Sequence, residues 1–313
     1  MASDSTTNEA HRDGNISRVA VFGGTGFLGG AIVTCLRARG VEVRVATRHP
    51  RPVPEADAGD GGVTSVAADI RDPASVARAL ADCDAAVNAV GLYVESGVQN
   101  FGAVHVEGAA TVAGAARAAG LRRLVHVSGI GADPDSRSPY VRARAAGEAG
   151  VWEAFPKATI LRPSVLFGPS DKFVNTFAAL ARFAPALPLF GRGDTRLQPV
   201  HVEDAAEAAR RCLADPSAPG AVYELGGPDV YRYRDLVEAI LEAAGRRRPL
   251  VPVPFAIWYG LASVLSVLPK PPIVESQITL MRNDNVVGPD MKSFAALDIA
   301  PTSLDAVLPD YRF

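Results

Sequence analysis

Short, nearly unbroken apolar runs alternate with longer, Ala-rich stretches through the first half of the chain. The runs Arg18–Phe22, Glu42–Ala46, Gly62–Val66, Ala85–Val90, Leu124–Val127 and Thr159–Leu161 each predict a strand, and the intervals between them have room for helices. Strands apolar on both faces, alternating with helices, predict a parallel sheet covered on both sides, the doubly wound α/β class. From about Val165 the alternation breaks down and prolines accumulate at Pro185, Pro188, Pro199, Pro216 and Pro219. That change predicts a smaller second lobe. The helical stretch Asp204–Leu213 and the strand Ala221–Leu225 are expected to return to the main sheet. The expected organisation is a tail over residues 1–16, a core over 17–168 and a C-terminal lobe over 169–313, with 197–225 rejoining the core.

Met1 to Ser17 is polar, with no cationic stretch leading into an apolar one, so a disordered tail and no secretory signal are expected. The longest strongly apolar run is Phe255–Leu268, fourteen residues closed by Pro269, Pro271 and Pro272. A spanning helix needs about twenty, so no membrane span is expected. As a helix this run is apolar on most faces, which suits burial or an interface. With no lysine-rich face beside it, burial in the second lobe is the favoured expectation and peripheral membrane contact through 255–268 the other. The Ala- and Gly-rich stretch between Gly102 and Gly120 suits close helix packing or a dimer face.

Composition narrows the function. Among 313 residues, 48% are hydrophobic and 21% charged, with 32 basic against 34 acidic side chains and a net charge of -2. An ordered chain follows, with no electrostatic reason to expect nucleic acid. Cys35, Cys83 and Cys212 are far apart and show no CxxC spacing, so neither a disulfide scaffold nor a zinc site is expected, and a reducing, cytoplasmic compartment fits. His105, His126 and His201 have no metal-ligand spacing, and no metal is expected. No Walker loop, zinc-protease helix or nucleophile elbow is present.

The strongest chemical signal follows the first strand: Gly23-Gly24-Thr25-Gly26-Phe27-Leu28-Gly29, then the helical pattern Ala31–Arg39. Gly23 can make the turn, Gly26 lets backbone N–H groups approach a pyrophosphate, and Gly29 lets the helix lie close to the strand. The helix N-terminus then faces the phosphates, and Thr25, Phe27 and Leu28 belong to the same predicted dinucleotide site. The second strand ends Val43-Arg-Val-Ala-Thr-Arg48 without a carboxylate, since Glu42 comes too early. Arg48 offers a planar fork to a 2'-phosphate, which favours NADP(H) and leaves NAD(H) possible. Asp69 and Ile70 are placed to meet the adenine, and Asn88 through Val90 and Gly91 to lie beside the cofactor; loop capping is the other use of such residues.

The fifth strand delivers Ser128 to the carboxyl edge of the sheet. Tyr140 and Arg144, four apart, share a helix face. Together with the glycine motif, Asp69-Ile70 and Asn88 to Gly91, these residues resemble the extended or atypical short-chain dehydrogenase/reductase superfamily, whose fold is a Rossmann sheet. Leu161-Arg-Pro-Ser-Val-Leu-Phe-Gly-Pro169, with Pro163, and Leu197 to Asp204 resemble segments that flank the nicotinamide and begin the substrate lobe there. The resemblance implies a tyrosine acid or base at Tyr140, a positioning serine at Ser128, and a cation that lowers the phenol pKa. A phenol of pKa about 10 needs that help at neutral pH. The family's lysine is replaced by Arg144, whose fixed fork differs from a flexible ammonium.

A narrower likeness runs through Val94–Phe101, Val104–Gly108, His126–Pro134, Glu224–Pro228 and Arg282–Val286. These segments resemble the Rossmann-fold accessory subunits of respiratory complex I and their bacterial relatives. That resemblance implies a tightly held, structural NADPH, complex I subunits as partners, and a place on the cytoplasmic face of the inner membrane. The other reading is an active NAD(P)-dependent oxidoreductase or epimerase that uses Tyr140 and Ser128 on a small substrate.

Overall fold

The computed structural model describes residues 16–50, 62–268, 271 and 273–313. The expected tail over 1–16 therefore falls almost wholly outside the described residues. The first half builds β1 (Arg18–Phe22), α1 (Phe27–Arg37), β2 (Glu42–Thr47), β3 (Val63–Ala67), α2 (Pro73–Leu80) and β4 (Ala85–Asn88). A π-helical stretch, Gly102–Gly108, then runs directly into α3 (Ala109–Ala118), followed by β5 (Arg123–Val127), α4 (Pro139–Ala154) and β6 (Thr159–Pro163). Beyond these lie β7 (Leu166–Phe167), α5 (Phe173–Phe183), β8 (Leu187–Phe190), β9 (Arg196–Leu197), β10 (Val200–His201), α6 (Val202–Ala214) and β11 (Val222–Leu225). The chain continues through β12 (Tyr231–Arg232), α7 (Tyr233–Ala243), β13 (Leu250–Val253), α8 (Phe255–Leu265) and α9 (Glu275–Leu280).

Seven strands form one sheet in the order β11-β6-β5-β4-β1-β2-β3, and every pairing in it is parallel. Val19, Ala20 and Val21 are fully buried because helices cover both faces of β1. On one face α1 and α6 pack over Val21, Val45 and Val87; on the other α2, α3 and α4 cover Ala20, Ala86 and Leu124. The strand order reverses between β1 and β4, which opens a crevice at the carboxyl ends of the strands.

The small lobe has its own core around Leu187, Leu189, Tyr233, Leu236 and Ile240. Asp171 and Tyr311 lock it to the chain end: the Tyr311 hydroxyl donates to Asp171 and accepts from the Gly168 N–H at 2.7 Å. The favoured burial of 255–268 is corrected. Phe255, Trp258, Tyr259 and Leu265 pack against Ile273 and Ile278, yet within α8 only Ala262 is fully buried. Ile257, Leu261, Val264, Val267 and Leu268 are exposed, because the lobe supplies a wall for only one side of the helix. No helix among the described residues is long and apolar enough to cross a membrane.

Candidate functional site

The glycine turn is packed as closely as backbone allows. Gly23 has φ +79°, and a Cβ there would lie 2.8 Å from the carbonyl oxygen of Ala89. A Cβ on Gly29 would lie 2.0 Å from the Gly23 carbonyl oxygen. Gly26 is the N-cap of α1, with extended backbone and no side chain to cap the helix, and the first turn carries no acid. Thr25 and Gly26 are exposed while Leu28 and Gly29 are buried. Phe27 reaches across to Gly168 beside Val202. The free N–H groups and the dipole of this helix end suit an anion.

At the adenosine side, Arg48 is exposed just past β2, and Asp69 is held by Arg71 through contacts of 2.6 and 2.9 Å. The Arg71 hydrogen bond holds the Asp69 carboxyl down at about 2, and the charge of Arg48 adds to the effect. Ile70 is buried against Gly108. Asn88 accepts from the Val90 N–H at 3.2 Å and contacts His126 Nδ1 at 3.3 Å, so its amide shapes the turn leading to exposed Gly91. Pro163 is buried, and its carbonyl accepts from the Ile130 N–H at 3.2 Å.

Tyr140 and Arg144 pack together, and Arg144 lies against Gly129, the residue after Ser128 at the carboxyl end of β5. Arg144 Nη1 donates to the Tyr140 hydroxyl at 2.8 Å, and the guanidinium lies against Gly129, where even a Cβ would meet it at 2.2 Å. Ser128 Oγ and Arg144 Nε are buried without a partner. Arg144 pulls the Tyr140 pKa down, as the resemblance implies, but it does not set the net direction. Burial pushes the Tyr140 phenol up, and the opposing pull of Arg144 is the smaller effect. Tyr140 is only 3% exposed because Tyr93 stacks on it at 5.7 Å while Phe101 and His105 pack edge-on. Reading the chain alone left Tyr93 and Phe101 unassigned, although both follow the end of β4 closely enough to signal a cover over that edge. Asn285 was also unassigned as an individual site residue. It accepts from Ser164 Oγ at 2.6 Å and donates to the Ile130 carbonyl at 3.4 Å, tying the late chain to the same edge.

His105 and His126 are both held neutral by burial, falling from the ordinary 6.5 to about 4 and about 3 respectively. The unfolded chain binds these protons first as pH drops. Stability is therefore complete above about pH 6.5 and is lost as pH falls through the window down to the folded values, at about 1.4 kcal/mol per pH unit for each imidazole. Urea melts between about pH 7.5 and about pH 4.5 are expected to follow that slope, and a flat profile contradicts it. Among the described residues no group of His, Cys, Asp and Glu is arranged to hold a metal.

Residues 19–226 match the model of the NAD dependent epimerase/dehydratase family. The mitochondrial NADH dehydrogenase (ubiquinone) 1 alpha subcomplex subunit 9 of Arabidopsis thaliana is 34% identical over 300 residues, covering 91% of this chain and 74% of that one. The Mus musculus protein of the same name is 31% identical over 295 residues, covering 91% and 77%. Among solved structures, Citrobacter sp. triphenylmethane reductase complexed with NADP(H) is similar at a TM-score of 0.73 and 21% identity, covering 94% of this chain and all of that one.

Proposed function

From the premise that the chain belongs to the NAD dependent epimerase/dehydratase family, we propose that it is an NADPH-binding accessory or assembly-related subunit of respiratory complex I. The observation that carries an accessory role over an enzymatic one is the cover on the Tyr140 phenol. Tyr93 stacks on its ring at 5.7 Å, Phe101 and His105 pack edge-on, and the hydroxyl is taken up by Arg144, which leaves Tyr140 only 3% exposed to any substrate. The partner assignment is supported by the named complex I relatives, each of which aligns with 91% of this chain.

The residues present fit the cofactor. Gly23 and Gly29 let the turn fold so tightly on Ala89 and on itself that no side chain fits there, exposed Gly26 leaves the N-terminus of α1 uncovered for a phosphate, and Ser128 Oγ is a buried polar atom in want of a partner. In this reading Thr25, Phe27 and Leu28 hold the pyrophosphate end, Arg48 takes the 2'-phosphate, Asp69 and Ile70 border the adenine, and Asn88, Val90, Gly91 and Pro163 border the nicotinamide end. NADP(H) is favoured over NAD(H) because β2 ends at Thr47 and is followed by Arg48, with no carboxylate at that strand end. NADPH carries hydride chemistry when bound. Here it serves stability: a ligand at about a hundred times its Kd adds about 2.7 kcal/mol to the folded state alone.

The exposed face of α8 supports peripheral contact with the membrane beside the complex, on the cytoplasmic face of the inner membrane. Tyr140→Phe tests the central distinction. The variant is expected to keep its nucleotide and its partners and to lose no more than about 1–2 kcal/mol of stability from one buried hydrogen bond. Abolition of a substrate turnover that the unchanged protein performs would instead establish an enzyme.

A further inference from the structure

Residues 294–311 run as a strap from the main core to the small lobe. Phe294, Leu297 and Ile299 pack into the core shared by α1 and α6. Thr302 then donates its N–H and its hydroxyl to Asp204 of α6 at 2.6 and 3.1 Å. A short helix, α10 (Leu304–Val307), carries the strap into the small lobe, where Leu304, Val307 and Leu308 are buried. Tyr311 fastens its far end: the hydroxyl donates to Asp171 and accepts from the Gly168 N–H at 2.7 Å. Asp171 is itself committed to this turn, accepting from the Val174 N–H at 2.6 Å at the start of α5 and donating its own N–H to the Gly168 carbonyl at 2.8 Å.

The same turn meets the glycine loop. Gly168 is buried against Val202 and the Phe27 ring, so that a Cβ on it would lie 2.9 Å from Val202 Cγ1 and 3.3 Å from Phe27 Cζ. Phe27 is the first residue of α1, and its N–H is among those free to receive a phosphate. A ring packed on a backbone wall holds its own backbone only as firmly as the wall is held, and Tyr311 makes two of the hydrogen bonds that hold this wall. We propose that Tyr311 is a positioning residue for the dinucleotide: through Gly168 it braces Phe27 in the glycine turn, so that cofactor binding and docking of the strap reinforce each other. The proposal rests on the reading that the glycine turn holds NADPH, and adds that occupancy there is felt along the strap.

Titration of the full chain with NADPH, followed by the nucleotide's fluorescence, tests the brace. Tyr311→Phe keeps the buried ring and its stack on Phe313 at 5.4 Å and removes only the hydroxyl. This variant is expected to bind NADPH about tenfold more weakly than the unchanged protein, within the range typical of coupled sites. Thr159→Val removes a buried hydroxyl that donates to the Ala218 carbonyl at 2.8 Å, at the amino end of β6. As a distant, independent site it is expected to change the affinity by less than about twofold. In a Phe27→Leu background the further loss from Tyr311→Phe is expected to shrink to less than about twofold, because the ring that carries it is gone. By reciprocity, NADPH is expected to slow amide hydrogen exchange over residues 302–311 in the unchanged protein and not in Tyr311→Phe. Equal weakening by Thr159→Val would overturn the brace in favour of general stabilisation, and a full tenfold loss in the Phe27→Leu background would overturn it by removing its link. Unaltered affinity in Tyr311→Phe would overturn the brace and leave the dinucleotide site standing. An unchanged protein that binds no NADPH would overturn both.

Discussion

Gly29→Ala is expected to yield a protein without bound dinucleotide and with a lower melting temperature. The added methyl would sit 2.0 Å from the Gly23 carbonyl oxygen and 2.6 Å from its carbon, so backbone must move. Gly23 cannot yield easily, since it is itself wedged beneath Ala89 at a positive φ. Overpacking of this kind costs about 1–3 kcal/mol. The displaced turn also moves the N–H groups that receive the pyrophosphate, so the stabilisation by bound cofactor is lost as well. Gly30→Ala is the matched control. Its methyl would find only the Gly24 carbonyl oxygen at 3.7 Å, an ordinary contact, and a helical alanine is favoured over glycine by about 1 kcal/mol. Nucleotide content after purification and a thermal melt check both variants. A Gly29→Ala protein that retains its nucleotide would contradict the packing argument.

Arg162→Leu is expected to be the most damaging change outside the cleft. From β6, Arg162 donates to Glu148 of α4 at 3.0 and 2.6 Å and to Glu224 of β11 at 3.3 Å. Glu224 accepts in addition from the Gly288 N–H at 2.9 Å, so a late segment of the chain joins the same network. The glutamate side chains are only 4% and 8% exposed. Leucine would leave two carboxylates facing each other without a cation. Breaking a buried pair from one side costs about 3–5 kcal/mol, a large share of the roughly 5–15 kcal/mol that holds a domain folded. Arg162→Lys keeps the charge but cannot bridge both partners, and it is expected to fall between the two. Urea denaturation midpoints check the series; a leucine variant within about 1 kcal/mol of the unchanged protein would contradict the network's role.

The core was legible because burial on two faces writes itself as unbroken apolar runs: Val19–Phe22 and Ala85–Val87 can be nothing but inner strands. The glycine turn was legible for a related reason, since a spacing that excludes side chains is visible in composition alone. What escaped the linear reading depends on distance in space. Arg162 and Glu224 stand in quoted motifs, but only the pairing of β6 with β11, and Glu148 on α4, makes them one buried triad. The π-helical stretch before α3 has no spacing of its own; it places His105 against Tyr140 and lets Gly108 accept the Ile70 side chain. The pull of Arg144 on Tyr140 was legible from the spacing of four, but the cover that Tyr93 and Phe101 supply is made by distance in space and was not. The exposure of α8 was misjudged because an apolar run does not reveal how many neighbours the lobe provides.

The most direct test of the account is gentle detergent extraction of membranes from the native host, followed by size separation and identification of what travels with this chain. The account predicts co-migration with complex I subunits and NADPH bound in near-equal amount to the chain. A chain that runs alone in the soluble fraction and exchanges its nucleotide freely would contradict it.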